Sequence, residues 1–200
     1  CLKRMQQIDL LRFLHKKLIF NEDMEKLFES VNNVISWYGL LYRKEAVNKP
    51  VIRFYALTNF LNSEELKEML DRLEIEGSLR RRLFDEKLIA REVRLRLEEK
   101  EQILGSEIYN ALIPLSLEGQ LFILAETKEE KVKKAISQFF TKLKDVKTEL
   151  TGKDLIGMGF KEGPIIGKIL RELLEARLDG KITSRNEEEN YIKEHYGIDS

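Results

Sequence analysis

The sharpest chemical signal in this sequence is a group of glycines. Gly152, Gly157, Gly159, Gly163 and Gly167 fall within sixteen residues, after a long stretch in which glycine is rare and sits at helix ends. In Leu155-Ile156-Gly157-Met158-Gly159-Phe160, two glycines flank one apolar residue between two helical patterns, the spacing of a helix-hairpin-helix turn. A backbone without Cβ atoms can approach a nucleic-acid phosphate closely, and the N–H groups opening the next helix can receive it. Lys153, Lys161 and Lys168 would add charge beside such a phosphate. The same glycines also suit tight turns and close helix contacts, so spacing alone leaves both uses open.

Arginines make the second candidate. Arg80 and Arg91 are separated by about three helical turns and Arg91 and Arg94 by less than one, so the three can share a face and follow a phosphate backbone. The competing reading is a solvated face laced by Asp85, Glu86 and Glu92. Residues 79–96 carry seven basic and three acidic side chains, net +4, while residues 64–76 carry six acidic and two basic, net −4. A chain whose total is 35 basic against 35 acidic therefore hides two opposed segments. Other chemistries find little support. His15 and His195 accompany no recognisable nucleophile motif, and there is no Walker loop and no His-Glu-x-x-His. Glu22-Asp23-Met24-Glu25-Lys26 pairs acids with a base, but at a helix start, where the dipole favours acids anyway. Trp37, Tyr38 and Tyr109 fit packing better than base stacking.

The elements that must hold these residues read as helices throughout. Asn21 caps a long helix whose apolar stripe runs Met24, Leu27, Phe28, Val31, Val34, Ile35, Tyr38, Leu41 and Tyr42. Pro50 suits a first turn, Asn62 with Glu65 makes a capping box, and Gly77 ends that helix. Ser78 is expected to cap the arginine helix, and Gly105-Ser106 opens a shorter one. Thr127 with Glu130 reads as a capping box for a helix with Val132, Ala135, Ile136, Phe139, Phe140 and Leu143 on one face. Pro164 starts, and Gly180 stops, a helix that buries Ile165, Ile169, Leu170, Leu173, Leu174 and Leu178; Ser184 with Glu187 caps a last one ending at Gly197. No segment shows two-residue alternation. The fold class is therefore all-α, with roughly eight to eleven helices at this period. The change in glycine usage places a boundary between a helical body, residues 1–147, and a smaller helical tail, residues 148–200.

Composition bounds the rest. Two hundred residues, 42% hydrophobic, suffice for a core without staples, and the single Cys1 can make no internal disulfide. No cysteine pair or histidine cluster offers a metal site. No apolar run approaches the roughly 20 residues of a spanning helix, and no signal-peptide pattern opens the chain, so a cytoplasmic protein without a membrane partner is expected.

The run from Leu150 through Gly167, with Gly152-Lys153-Asp154-Leu155 followed by Gly163-Pro164-Ile165-Ile166-Gly167, resembles the C-terminal part of bacterial class II tRNA nucleotidyltransferases. These are the CCA-adding and A-adding enzymes and the related poly(A) polymerases. The resemblance continues through Leu170, Leu174, Leu178, Asp179-Gly180 and the acidic stretch from Asn186 to Glu189. Upstream, Ile8-Asp9-Leu10-Leu11-Arg12-Phe13-Leu14-His15 and Ser36-Trp37-Tyr38 are similar to the neck-to-body region, particularly of the A-adding branch. Ser106-Glu107-Ile108-Tyr109 and Leu115-Ser116-Leu117-Glu118 match the later body. The likeness covers most of the chain and is strongest in the last fifty residues.

The resemblance implies a body and tail that grip the acceptor and TΨC portion of tRNA through backbone and shape, as RNA helices are generally read. It also implies that the catalytic head and the nucleotide-selecting neck motif lie outside this chain. Gly77-Ser78 looks like the turn that opens a nucleotidyltransferase site, yet no Asp-x-Asp follows to hold paired metals. No catalytic residue is therefore assigned, and no transfer is expected from the chain alone. Mg and ATP or CTP are implied for the parent enzyme, not for this segment. The expected RNA-binding residues are Arg80, Arg91, Arg94, Lys153, Gly157, Gly159, Lys161, Gly163 and Lys168. Expected partners are tRNA and the head and neck of the same enzyme, with a homodimer possible. A helical interaction or dimerisation module touching little RNA is the alternative reading.

Overall fold

The computed structural model describes residues 2–197. Among them twelve α-helices and no strand are found: α1 (Leu2–Gln7), α2 (Leu10–Leu14), α3 (Glu22–Gly39), α4 (Lys49–Leu57), α5 (Ser63–Arg72), α6 (Gly77–Glu99), α7 (Gly105–Leu112), α8 (Leu117–Glu126), α9 (Glu130–Thr141), α10 (Gly152–Gly157), α11 (Pro164–Leu178) and α12 (Arg185–Tyr196). A 3-10 turn, Leu143–Asp145, follows α9. The count exceeds the expected eight to eleven because α1, α2 and α10 are five or six residues long, too short to show a period. None of these helices is long and apolar enough to cross a membrane. Cys1, excluded above from a disulfide, lies outside the described residues.

Several starts follow the sequence. The Asn21 side chain accepts from the Met24 N–H at 2.9 Å, and Asn62 and Glu65 close a reciprocal capping box. Pro164 opens α11, and Ser184 accepts from the Glu187 N–H at the start of α12. Others differ. The stripe of α3 stops at Tyr38; the helix ends at Gly39, and Tyr42 stands exposed at φ 50°. α6 starts at Gly77, with Glu76 rather than Ser78 at the N-cap. Thr127 makes no box with Glu130, because its hydroxyl donates to Glu98 at 2.7 Å and accepts from the Glu129 N–H.

The chain divides into two compact units. One holds the residues through 101 together with 112–133; the other holds 102–111 and 134 onward, so the change-over falls before the 147/148 boundary expected above. In the first unit α8 packs against α3, α4 and α6. It is buried on every side, from Leu117 to Ala125, as a helix that is apolar all round must be. Of its two polar intruders Glu118 is answered, and Gln120 through its amide N–H groups only, its Oε1 meeting no partner among the described residues. Gln120 donates to the Leu112 and Leu115 carbonyls, and Glu118 accepts from the Asn48 N–H at 2.6 Å and from Arg82. Glu86 of α6 accepts from the Ser116 N–H at 2.6 Å and from Tyr55 at 3.3 Å.

The end of α5 stores strain. Ile75 N–H returns to the Leu70 carbonyl and Glu74 N–H to Asp71, a C-cap whose left-handed position, φ 52°, is taken by Glu74 instead of glycine. Glu74→Gly should therefore stabilise the first unit by roughly 0.5–1 kcal/mol. A urea midpoint equal to or below that of the parent chain would refute this.

In the second unit Leu150, Leu155, Ile169, Leu173, Ala176, Ile182 and Ile192 form the core beneath α10, α11 and α12. Close approach is enforced at Gly105, where a Cβ would stand 2.0 Å from the Leu178 carbonyl oxygen. Beside it the Ser106 N–H donates to Asp179 at 2.8 Å. Glu188, fully buried on α12, accepts from the Glu149 and Leu150 N–H groups and from Arg177, which ties the segment entering α10 to the end of the chain.

Candidate nucleic-acid interface

The glycine run forms an α-hairpin. α10 ends in a C-cap motif in which Phe160 N–H reaches the Leu155 carbonyl and Gly159 N–H the Ile156 carbonyl. Gly159 occupies the left-handed position at φ 98°, which a side chain would strain. Gly163, at φ 154°, is the N-cap of α11. Between the two helices lies an open groove of about 810 Å³, lined by Thr151, Gly152, Lys153, Ile156, Glu162, Gly163, Ile166 and Gly167.

Two helix N-termini border this groove, and they differ. At α10, Asp154 accepts from the Thr151 N–H at 2.8 Å and from its hydroxyl at 2.5 Å, and pairs with Arg185 at 2.7 Å. Those contacts, the Thr151 hydroxyl first and Arg185 next, hold the Asp154 carboxyl well below the ordinary carboxylate range. A carboxylate of the chain itself thus occupies that positive end. No side chain caps α11. Its first turns are bare, because Gly163 and Gly167 have nothing within 4 Å of where a Cβ would stand. Gly152 is different, since its Cβ would lie 3.2 Å from Ile166 and the glycine lets the two helices approach.

Of the expected residues, Lys153 and Gly163 line the groove. Gly157 and Gly159 build the turn, and Lys161 is exposed in it. Lys168 is exposed on α11, with Glu172 3.8 Å away. Glu162 is the one acid on the groove wall.

The arginines of α6 are not gathered onto one free face. Arg80 pairs with Asp71 at 2.7 Å and donates to the Ile75 carbonyl. Arg94, 15% exposed, is held by Glu98 at 2.6 Å and Glu126 at 3.0 Å. Arg82 is taken by Glu118, and Lys87, counted above in the basic total, is buried against Thr58. Arg91 is exposed and makes no ion pair among the described residues. The lacing thus comes mainly from α5 and α8, not from Asp85 and Glu92 on the same helix.

Sequence reasoning missed one feature. From Lys134 to Lys147 the chain carries four lysines and one acid, net +3. The signal was available, because the outward face of α9 is the complement of the apolar face already read. Among the described residues, no group of three or more His, Cys, Asp and Glu could hold a metal ion, so the residues do not fit the Mg implied for the parent enzyme and no step is assigned to a metal here.

No established family profile matches the sequence. Among curated proteins, the A-adding tRNA nucleotidyltransferase of Geobacter sulfurreducens is 33% identical over 189 residues, 92% of this chain and 22% of that protein. Among solved structures, the Thermotoga maritima CCA-adding enzyme complexed with tRNA superposes with a TM-score of 0.76 at 25% identity, over 98% of this chain and 47% of that one. A CCA-adding enzyme with ATP gives 0.71 at 26% identity, over 99% and 46%. A CCA-adding enzyme with CTP gives 0.73 at 24% identity, a likeness of fold. The chain spans about a fifth of the curated relative and just under half of the solved ones.

Proposed function

Because this chain belongs to the tRNA nucleotidyltransferase family, as part of such an enzyme, we propose that it holds the acceptor and TΨC arm of tRNA so that the enzyme's transfer centre meets the 3′ end. ATP or CTP, and the metal that transfer requires, belong in this reading to the whole enzyme, whose work lies in the cytoplasm where tRNA matures. The observation that carries it is the bare opening of α11. Gly167 sits in a helix at ordinary backbone angles, with no close neighbour to accommodate. Glycine there costs about 0.5–1 kcal/mol of helix stability relative to alanine, and no packing in the fold offsets it. A phosphate backbone approaching the uncapped N–H groups needs that space, with Lys153 and Lys161 supplying charge. The solved relative in complex with tRNA has the same fold over 98% of this chain, which supports RNA as the ligand.

Two substitutions at one position test the reading. Gly167→Ala should raise the unfolding free energy by roughly 0.5–1 kcal/mol. Gly167→Leu should keep the fold but weaken affinity for an acceptor–TΨC minihelix by about tenfold, the loss of about 1.4 kcal/mol of contact. Full affinity in the leucine variant would remove the α11 face as the contact. A native chain that shows no salt-dependent affinity for tRNA and sediments as a tight dimer would replace the reading with an interface between copies.

A further inference from the structure

We propose that the outward lysines of α9 and the turn beyond it, Lys134, Lys142 and Lys147, form a second contact with the phosphodiester backbone of the bound RNA, separate from the α10–α11 hairpin. The inference rests on tRNA being the ligand, and it adds a surface that the hairpin reading does not contain.

The argument begins with the helix period. Ala135, Ile136, Phe139 and Phe140 turn inward and are buried. From Lys134 onward the exposed positions of the same helix and of the residue that follows it, Lys134, Gln138, Thr141 and Lys142, recur at steps of four, three and one, and no carboxylate interrupts them. At the helical rise, the eight-residue step from Lys134 to Lys142, just past the end of α9, covers about 12 Å. Lys147 continues it past the 3-10 turn, where Asp145 is the single acid of the stretch. Lys144 is set aside, because its ammonium lies over the Phe140 ring at 5.7 Å.

These three lysines differ from the committed cations of the same unit in what they do not serve. Arg177 and Arg185 of the same unit are committed to Glu188, Glu149, Asp154 and Glu189, and Lys181 to Asp179. Lys134, Lys142 and Lys147 are exposed and make no ion pair among the described residues. Binding a phosphate there breaks no internal contact and relieves the mutual repulsion of like charges. The occupant follows from the side-chain type. Lysine is depleted at the cores of protein interfaces, and the exposed positions of α9 offer no aromatic or apolar anchor. Flexible ammonium groups suit a backbone that is followed without being read.

The test compares the full chain with Lys134→Gln/Lys142→Gln/Lys147→Gln and, separately, Lys153→Gln/Lys161→Gln, measuring affinity for a tRNA minihelix over a series of KCl concentrations. Each phosphate contact contributes about 0.7–0.9 to the slope of log affinity against log salt, so the triple variant should flatten it by about 2–3 with its thermal unfolding unchanged. The hairpin variant should flatten it by its own share, and combining the two sets should add. A triple variant with the native slope and affinity overturns the proposal, whatever the hairpin variant does. If the hairpin variant alone shifts, the hairpin reading survives that failure. A native chain without salt-dependent affinity overturns both.

Discussion

Replacing Glu188 with alanine should cost the second unit about 3–5 kcal/mol, the penalty for removing one partner of a buried charge pair. The carboxylate is fully buried and meets only donors: the Glu149 N–H at 3.0 Å, the Leu150 N–H at 2.7 Å and the Arg177 guanidinium at 2.6 Å. Alanine would leave two backbone N–H groups unanswered and a guanidinium, 14% exposed, short of one of its two carboxylates. Glutamine is no remedy. It keeps the shape but turns an amide N–H toward a site made of donors, so Glu188→Gln should lose much of the same stability. The consequence extends to the interface, because Glu149 and Leu150 directly precede Thr151, the cap of α10. Urea unfolding reads the effect, and a loss below about 1 kcal/mol in the alanine variant would show that the donors find other acceptors.

What the sequence disclosed depended on whether a residue's role is local. Asn21, Asn62 with Glu65, Pro164 and Ser184 act within one helical turn, and each does in the structure what its position implied. α8 left no period to read because it is buried on all sides; Glu118 meets Arg82 and the Asn48 N–H, 36 and 70 residues earlier, while the Gln120 amide N–H groups reach carbonyls five and eight residues earlier. Thr127 had the spacing of a cap but is drawn away by Glu98, 29 residues earlier. Counting charge along α6 gave a basic stripe, while the structure sends Arg80, Arg82 and Arg94 to acids on α5 and α8 as well as on α6. The glycine hairpin was legible because turn formation is local. The split between Gly152, which faces Ile166, and Gly167, which faces nothing, required the packing.

Lys87 gives the first unit a stability that rises with pH. Its amine is buried, donating to the Thr58 carbonyl at 2.5 Å and the Thr58 hydroxyl at 3.0 Å, where α4 ends. The Thr58 hydroxyl itself donates to the Phe54 carbonyl, so it is free to accept from the amine. A neutral amine has two N–H donors, and both are used. Burial pushes the Lys87 ammonium down to about 7, with Glu126 opposing and Arg91 adding to the shift. Between about 7 and the ordinary 10.5, the unfolded chain binds a proton that the folded chain does not, so stability climbs with pH. The limiting slope is roughly 1.4 kcal/mol per pH unit. Below about 7 both states hold the proton and this slope vanishes. Tyr55 sets the upper end. Burial, and then Glu86, raise its phenol above the ordinary 10.0, so past that pH the unfolded chain loses a proton that the folded chain keeps, and stability falls again. Denaturation at a series of pH values should therefore show a maximum slightly above 10, midway between the ordinary values of the two groups, where the opposing slopes cancel. Lys87→Met should remove the rising limb and leave the falling one. A parent chain with equal stability at neutral pH and at the expected maximum would mean that Lys87 stays charged in its buried seat.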